Sequence, residues 1–121
     1  MDKRKLYRNY DEFRLHVIST LIQMIRRTKG NMLTFNSKKI AILAEIDTHP
    51  VILTLVKDVL EDLRRRGYVS YMGKSKHGVK YVINSSSPLW QAAKHGDVEA
   101  IVELTGLRSA AGPRVARLMA A

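Results

Sequence analysis

The chain has 121 residues, 45% of them hydrophobic and 26% charged, which suits one globular domain with or without a small appendage and excludes a disordered chain. It contains no cysteine, which excludes a disulfide framework and thiolate metal sites and fits a reducing compartment. Lys and Arg outnumber Asp and Glu by 21 to 11, a formal net charge of +10, so the field of the molecule attracts polyanions, nucleic acid first and an anionic membrane surface second.

The charge is unevenly placed. Residues 1–83 hold 17 Lys and Arg against 8 Asp and Glu, whereas residues 84–121 hold 4 against 3. The basic function is therefore assigned to the first two thirds. Asn84-Ser85-Ser86-Ser87-Pro88 is polar and turn-prone, and marks the junction. Three regions are expected: a basic arm over 1–8, a folded domain over 9–83 and a helical extension over 84–121.

In the arm, Lys3, Arg4 and Lys5 are candidate phosphate contacts. Asn9 and Glu12 have the spacing of a capping box and start a helix near Tyr10. In that helix Phe13, Val17, Leu21 and Met24 form one stripe, and Ile18, Ile22 and Ile25 a second. With Leu15 they make an apolar arc of about 200°, wider than a surface helix needs. Burial on two sides is expected, by the domain core and by either the C-terminal segment or a second subunit. The apolar run Leu15 to Ile25 follows a basic start, yet His16, Ser19, Thr20 and Gln23 interrupt it and Arg26-Arg27 follow it. It is read neither as a targeting signal nor as a membrane span, and a cytoplasmic protein is expected.

Met32-Leu33-Thr34-Phe35 is a short β-compatible run. Asn36 or Ser37 caps a second helix, roughly Lys38 to Glu45, with Ile40, Leu43 and Ala44 facing inward. Asp47-Thr48-His49-Pro50 is a turn, and Pro50 suits the first position of a third helix running to Arg66. That helix turns Ile52, Val56, Val59, Leu60 and Leu63 inward and Thr54, Lys57, Asp58, Glu61, Arg64 and Arg65 outward. Gly67 is placed to end it in a left-handed conformation. Tyr68 to Met72 and Val79 to Ile83 are β-rich, and the residues from Gly73 to Gly78 join them as a basic hairpin loop. Leu89–His95, Val98–Thr105 with Asp97 as cap, and Arg114–Met119 are short helical candidates. Each is too short to be stable alone, so each must pack on something.

The order helix, short strand, helix, turn, helix, hairpin over residues 9–83 resembles the winged helix-turn-helix family. Leu63-Arg64-Arg65-Arg66-Gly67-Tyr68-Val69 and the tip Gly73-Lys74-Ser75-Lys76-His77-Gly78 are similar to small archaeal transcription regulators of that family. The resemblance implies an α+β, mainly α fold: three helices and a β-hairpin wing, followed here by a C-terminal helical extension. It also implies double-stranded DNA as partner. Thr54 and Lys57 would face the major groove, with Asp58 beside them. Ser37, Lys38 and Lys39 would approach phosphate, and Lys74, Lys76, His77 and Lys80 would make the wing contacts. Val51-Ile52-Leu53-Thr54-Leu55 stands where base-reading members carry polar side chains, and Asp58 and Glu61 oppose phosphate. Backbone binding by a transcription regulator or chromatin-associated factor is therefore expected over strong base readout. The alternative is a winged-helix protein-docking module in a larger nucleic-acid-processing or cell-division assembly.

His16, His49, His77 and His95 lack metal-site spacing, and no glycine-rich phosphate loop or serine-nucleophile motif accompanies them. Neither catalysis nor a metal, cofactor or small-molecule ligand is expected. Leu89 to Leu104 looks like the helical part of an ankyrin repeat. Ile101 to Leu107 resembles the start of a second helix-turn-helix, with a turn longer than usual. The simplest reading is that these helices cover apolar surface or form a homodimer, with Val17, Leu21, Trp90, Ile101 and Leu104 as the packing or interface residues.

Overall fold

Helix α1 (Tyr10–Arg27) is the element on which most of the other described helices pack. The computed structural model describes residues 10–76, 78–107 and 112–120. The arm contacts Lys3, Arg4 and Lys5, the Asn9 half of the capping box and His77 lie outside the described residues. After α1 come β1 (Met32–Phe35), α2 (Ser37–Leu43), α3 (Pro50–Arg65), β2 (Ser70–Ser75), β3 (Gly78–Asn84), α4 (Pro88–His95), α5 (Val98–Thr105) and α6 (Gly112–Ala120). The fold is α+β and mainly helical, with one antiparallel sheet of order β1-β3-β2. Among the described residues no helix is long and apolar enough to cross a membrane.

Most of the wide apolar arc of α1 is buried: Phe13, Leu15, Val17, Ile18, Leu21, Ile22 and Ile25 are all at most 5% exposed, and Met24 at its end is half-buried. Helices α2 and α3 supply part of the cover, and α4 and α6 the rest. Leu89, Trp90 and Ala93 of α4 and Ile101 of α5 are buried in the same cluster, and Leu104 packs partly buried against it. Of the five residues expected to pack or to form an interface, Val17, Leu21, Trp90 and Ile101 are buried within the chain and Leu104 is partly buried. The arc is covered by the chain's own C-terminal helices.

Polar bonds fasten the extension. Arg26 donates to the carbonyl of Ala93 at 2.7 Å, and the amine of Lys94 lies over the Trp90 ring while donating to the carbonyl of Thr28. Asp62 accepts from Arg14 and Arg66, and the same arginines donate to the carbonyls of Thr105 and Leu104. One carboxylate thereby links α1 and α3 to the end of α5. Gly106 follows with φ of 71°, a left-handed conformation that favours glycine.

The helix ends follow local rules. Asn36 caps α2, its Oδ1 accepting from the N–H of Lys39 at 2.7 Å. His49 caps α3 through Nδ1, which accepts from the N–H of Val51, while Asp47 accepts from the N–H of His49. Gly67 ends α3 at φ 86°, as its place in the sequence predicts. The turn between α2 and α3 bends at Glu45, which takes φ 58° although it is not glycine. The N–H of Ile46 then reaches back to the carbonyl of Ala41 at 2.8 Å.

Candidate nucleic-acid interface

Three segments meet at one groove of about 280 Å3. The start of α2 contributes Ser37 and Lys38, the outer face of α3 contributes Leu53, Thr54 and Lys57, and the tip end of the hairpin contributes Gly78 and Val79. The sequence separates Ser37 from Val79 by more than forty residues; the sheet and the α2–α3 turn bring them together. Leu53 and Val79 were not among the expected contacts, and they form the apolar part of the wall.

The hairpin is longer than the sequence suggests. Strand β2 runs on through Gly73-Lys74-Ser75, so the ladder continues almost to Lys76 instead of opening into a loop at Gly73. Tyr71 pairs with Tyr81, but Gly73 pairs with Lys80, so Met72 is an extra residue on β2, a β-bulge. A bulge shifts side-chain alternation by one. Without it Lys74 would point to the face opposite Tyr81. With it Lys74 stands across from Val79, on the face of the sheet that carries Tyr81 and Ile83 and looks toward α3. Lys80 alternates to the other face, across from Gly73, and does not join the groove. The glycine directly after Met72 in a β-rich run is the sequence signal for this bulge.

Lys38, Lys57, Lys74 and Lys76 are exposed, and among the described residues none of them forms a salt bridge. Lys39 turns away. Its side chain lines a neighbouring cavity of about 310 Å3 with Ile42 and Leu43, and its N–H is taken by Asn36. Leu43, expected to face inward, is 52% exposed, and Ile42 is 56% exposed. The seven-residue α2 is too short to turn both flanks inward, and only Ile40 and Ala41 are buried within it.

Thr54 is exposed, but its hydroxyl donates to the carbonyl of Pro50 at 3.0 Å. This back-bond occupies the hydroxyl proton and leaves a methyl and an oxygen lone pair outward. Val51, one turn earlier, is 63% exposed. The start of α3 therefore offers methyl groups and few polar donors.

Glu61 does not stand free beside the groove. Its Oε2 accepts from Tyr81 at 2.7 Å, and its Oε1 from Tyr71 at 2.6 Å and from Arg64 Nε at 3.2 Å. The Arg64 guanidinium also lies 4.4 Å from the Tyr71 ring centre. Burial pushes the Glu61 carboxyl up, but the bonds from both tyrosines and Arg64 outweigh it and hold the group below its ordinary value. Burial and the hydrogen bond to Glu61 push the Tyr81 phenol well up. The cluster fastens the hairpin to α3. Arg64 and Arg66, which read in the sequence as part of an exposed basic run, are both committed to bonds within the chain.

No protein-family model, curated protein or solved structure matches this chain.

Proposed function

We propose that the protein binds double-stranded DNA as a winged helix-turn-helix module and acts by binding, not by catalysis. The observation that carries this reading is the groove shared by α2, α3 and the hairpin, edged by exposed lysines that form no salt bridge among the described residues. Helix α3 would lie along the major groove, Lys38 and Lys57 would meet phosphates beside it, and Lys74 and Lys76 would meet the flanking backbone. The tied-back hydroxyl of Thr54, the exposed Val51 and the acidic Asp58 on the same helix support backbone binding over direct readout of base edges. A chromatin-associated factor or a transcription regulator of modest sequence preference fits best. A cytoplasmic location belongs to the same reading.

Fluorescence anisotropy with a random duplex, the matching single strand and an RNA duplex, each at several salt concentrations, tests it. Duplex DNA should bind most tightly, with a log–log salt slope of roughly −4 to −6 from some 4–7 neutralised phosphates. A flat salt dependence would remove the reading. It would favour a second one, a protein-docking module, for which the exposed Ile42 and Leu43 beside Lys38 and Lys39 provide an apolar pocket rimmed by charge.

A further inference from the structure

Away from the groove, α1 and α6 enclose a cavity of about 210 Å3 lined by Leu15, His16, Ser19, Arg114 and Arg117. Four of these five side chains are polar, and they come from segments almost a hundred residues apart. Ser19 sits in the middle of α1 and is 6% exposed, yet its Oγ has no hydrogen-bond partner among the described residues. Thr20 beside it donates to the carbonyl four residues back, as helical hydroxyls commonly do; Ser19 does not. A buried hydroxyl left without a partner is uncommon, because its desolvation is not recovered.

The charges at this cavity are also unbalanced. Arg114 and Arg117 are three residues apart, on one face of α6, and Val115 anchors that helix with 2% exposure. Glu12 bonds to Arg114, while Arg117 has no ion pair among the described residues. His16 uses Nε2 to donate to the carbonyl of Ala44 at 2.6 Å, which leaves Nδ1 as its remaining polar atom. Leu15 supplies an apolar wall.

We infer that this cavity binds a compact oxyanion, a carboxylate or phosphate group borne on a small apolar body. The planar guanidinium of Arg117, with the donors of Arg114 not used by Glu12, matches two oxygens of such a group. The Ser19 hydroxyl supplies a further donor and gains the partner it lacks, and the apolar body rests on Leu15. A cavity smaller than those holding drug-sized molecules suits a ligand of about one ring. By bridging α1 and α6 the ligand would hold the C-terminal helix against the domain, and the site is independent of the DNA-binding reading.

The test is an NMR titration of the full chain with benzoate and, separately, phenyl phosphate, at constant ionic strength. Saturable amide shifts at residues 15–19 and 114–117 are expected with at least one of them, and the probe that binds identifies the oxyanion. Arg117→Gln should weaken that binding about tenfold or more, and Ser19→Ala should weaken it severalfold, with the spectrum of the fold unchanged. Shifts confined to Lys38, Lys57 and the hairpin would show only general attraction of anions to the basic face and would overturn the site. So would the absence of saturable shifts, or unchanged affinity in both variants.

Discussion

The phenol of Tyr81 donates a 2.7 Å hydrogen bond to Oε2 of Glu61, joining the central strand of the sheet to the outer half of α3. Tyr81 is fully buried, stacked on Phe35 at 5.9 Å and tilted against Tyr71 at 5.7 Å. Removing its hydroxyl leaves a carboxylate short of one bond in a largely enclosed site. Tyr81→Phe should therefore cost about 1.5–3 kcal/mol in urea denaturation at neutral pH, the range for hydrogen bonds to charged groups.

The same carboxyl makes stability depend on pH with a definite sign. Its folded value lies below its ordinary 4.5, so the folded protein sheds this proton more readily than the unfolded chain. Its contribution is complete above about pH 5 and is lost as the pH falls through the folded value. Denaturation midpoints measured from about pH 6 down to about pH 3 should fall less steeply in Glu61→Gln than in the parent. Identical slopes would remove Glu61 from the acid response.

Lys74 and Lys80 differ in face, and DNA should distinguish them. Lys74→Ala and Lys57→Ala should each weaken duplex binding and lower the salt slope by about one phosphate, whereas Lys80→Ala should change both less. Melting temperatures should stay within about one degree or two of the parent, since these side chains are exposed. Equal losses for Lys74 and Lys80 would contradict the face set by the bulge at Met72.

Glu45 sits in the left-handed region at φ 58°, where a side chain is disfavoured and glycine is not. It is exposed, so its truncation sacrifices little packing. Glu45→Gly should stabilise the protein by about 0.5–1 kcal/mol, read as a rise in the denaturation midpoint with no change in its slope. A loss of stability would mean that the side chain contributes more than the strain costs.

Removing residues 88–121 would uncover the α1 face now closed by Leu89, Trp90, Ala93 and Ile101. Burial of a side chain such as Leu89 or Ile101 contributes about 1.5–3 kcal/mol, so the truncated chain should aggregate or fail to fold. The full chain should scatter light as a monomer of 13.8 kDa, because the same face is satisfied internally. A stable dimer of the full chain would require a different surface, for which Ile42, Leu43 and Val51 are the exposed candidates.

Much of the element pattern was legible in the residues themselves. The apolar stripes of α1 and α3, the Asn36 cap, Pro50 at a helix start, Gly67 at a helix end and the β-rich runs around Gly73 and Gly78 are local signals, set by backbone conformation and periodicity within a few residues. The excess of burial on α1 was also present in its sequence, since an arc that wide demands two neighbours. What lay beyond the sequence were choices made between distant segments. Only tertiary packing decided that the second neighbour of α1 is the chain's own α4 and α6, because an apolar arc specifies area and not whose residues cover it. Only the pairing of β2 with β3 turned Lys74 toward α3 and Lys80 away, because one bulged residue reverses every side chain beyond it. The outward charges Glu61 and Arg64 became internal fasteners for the same reason: a helical periodicity gives the direction of a side chain, and the partner waiting there is set by the fold.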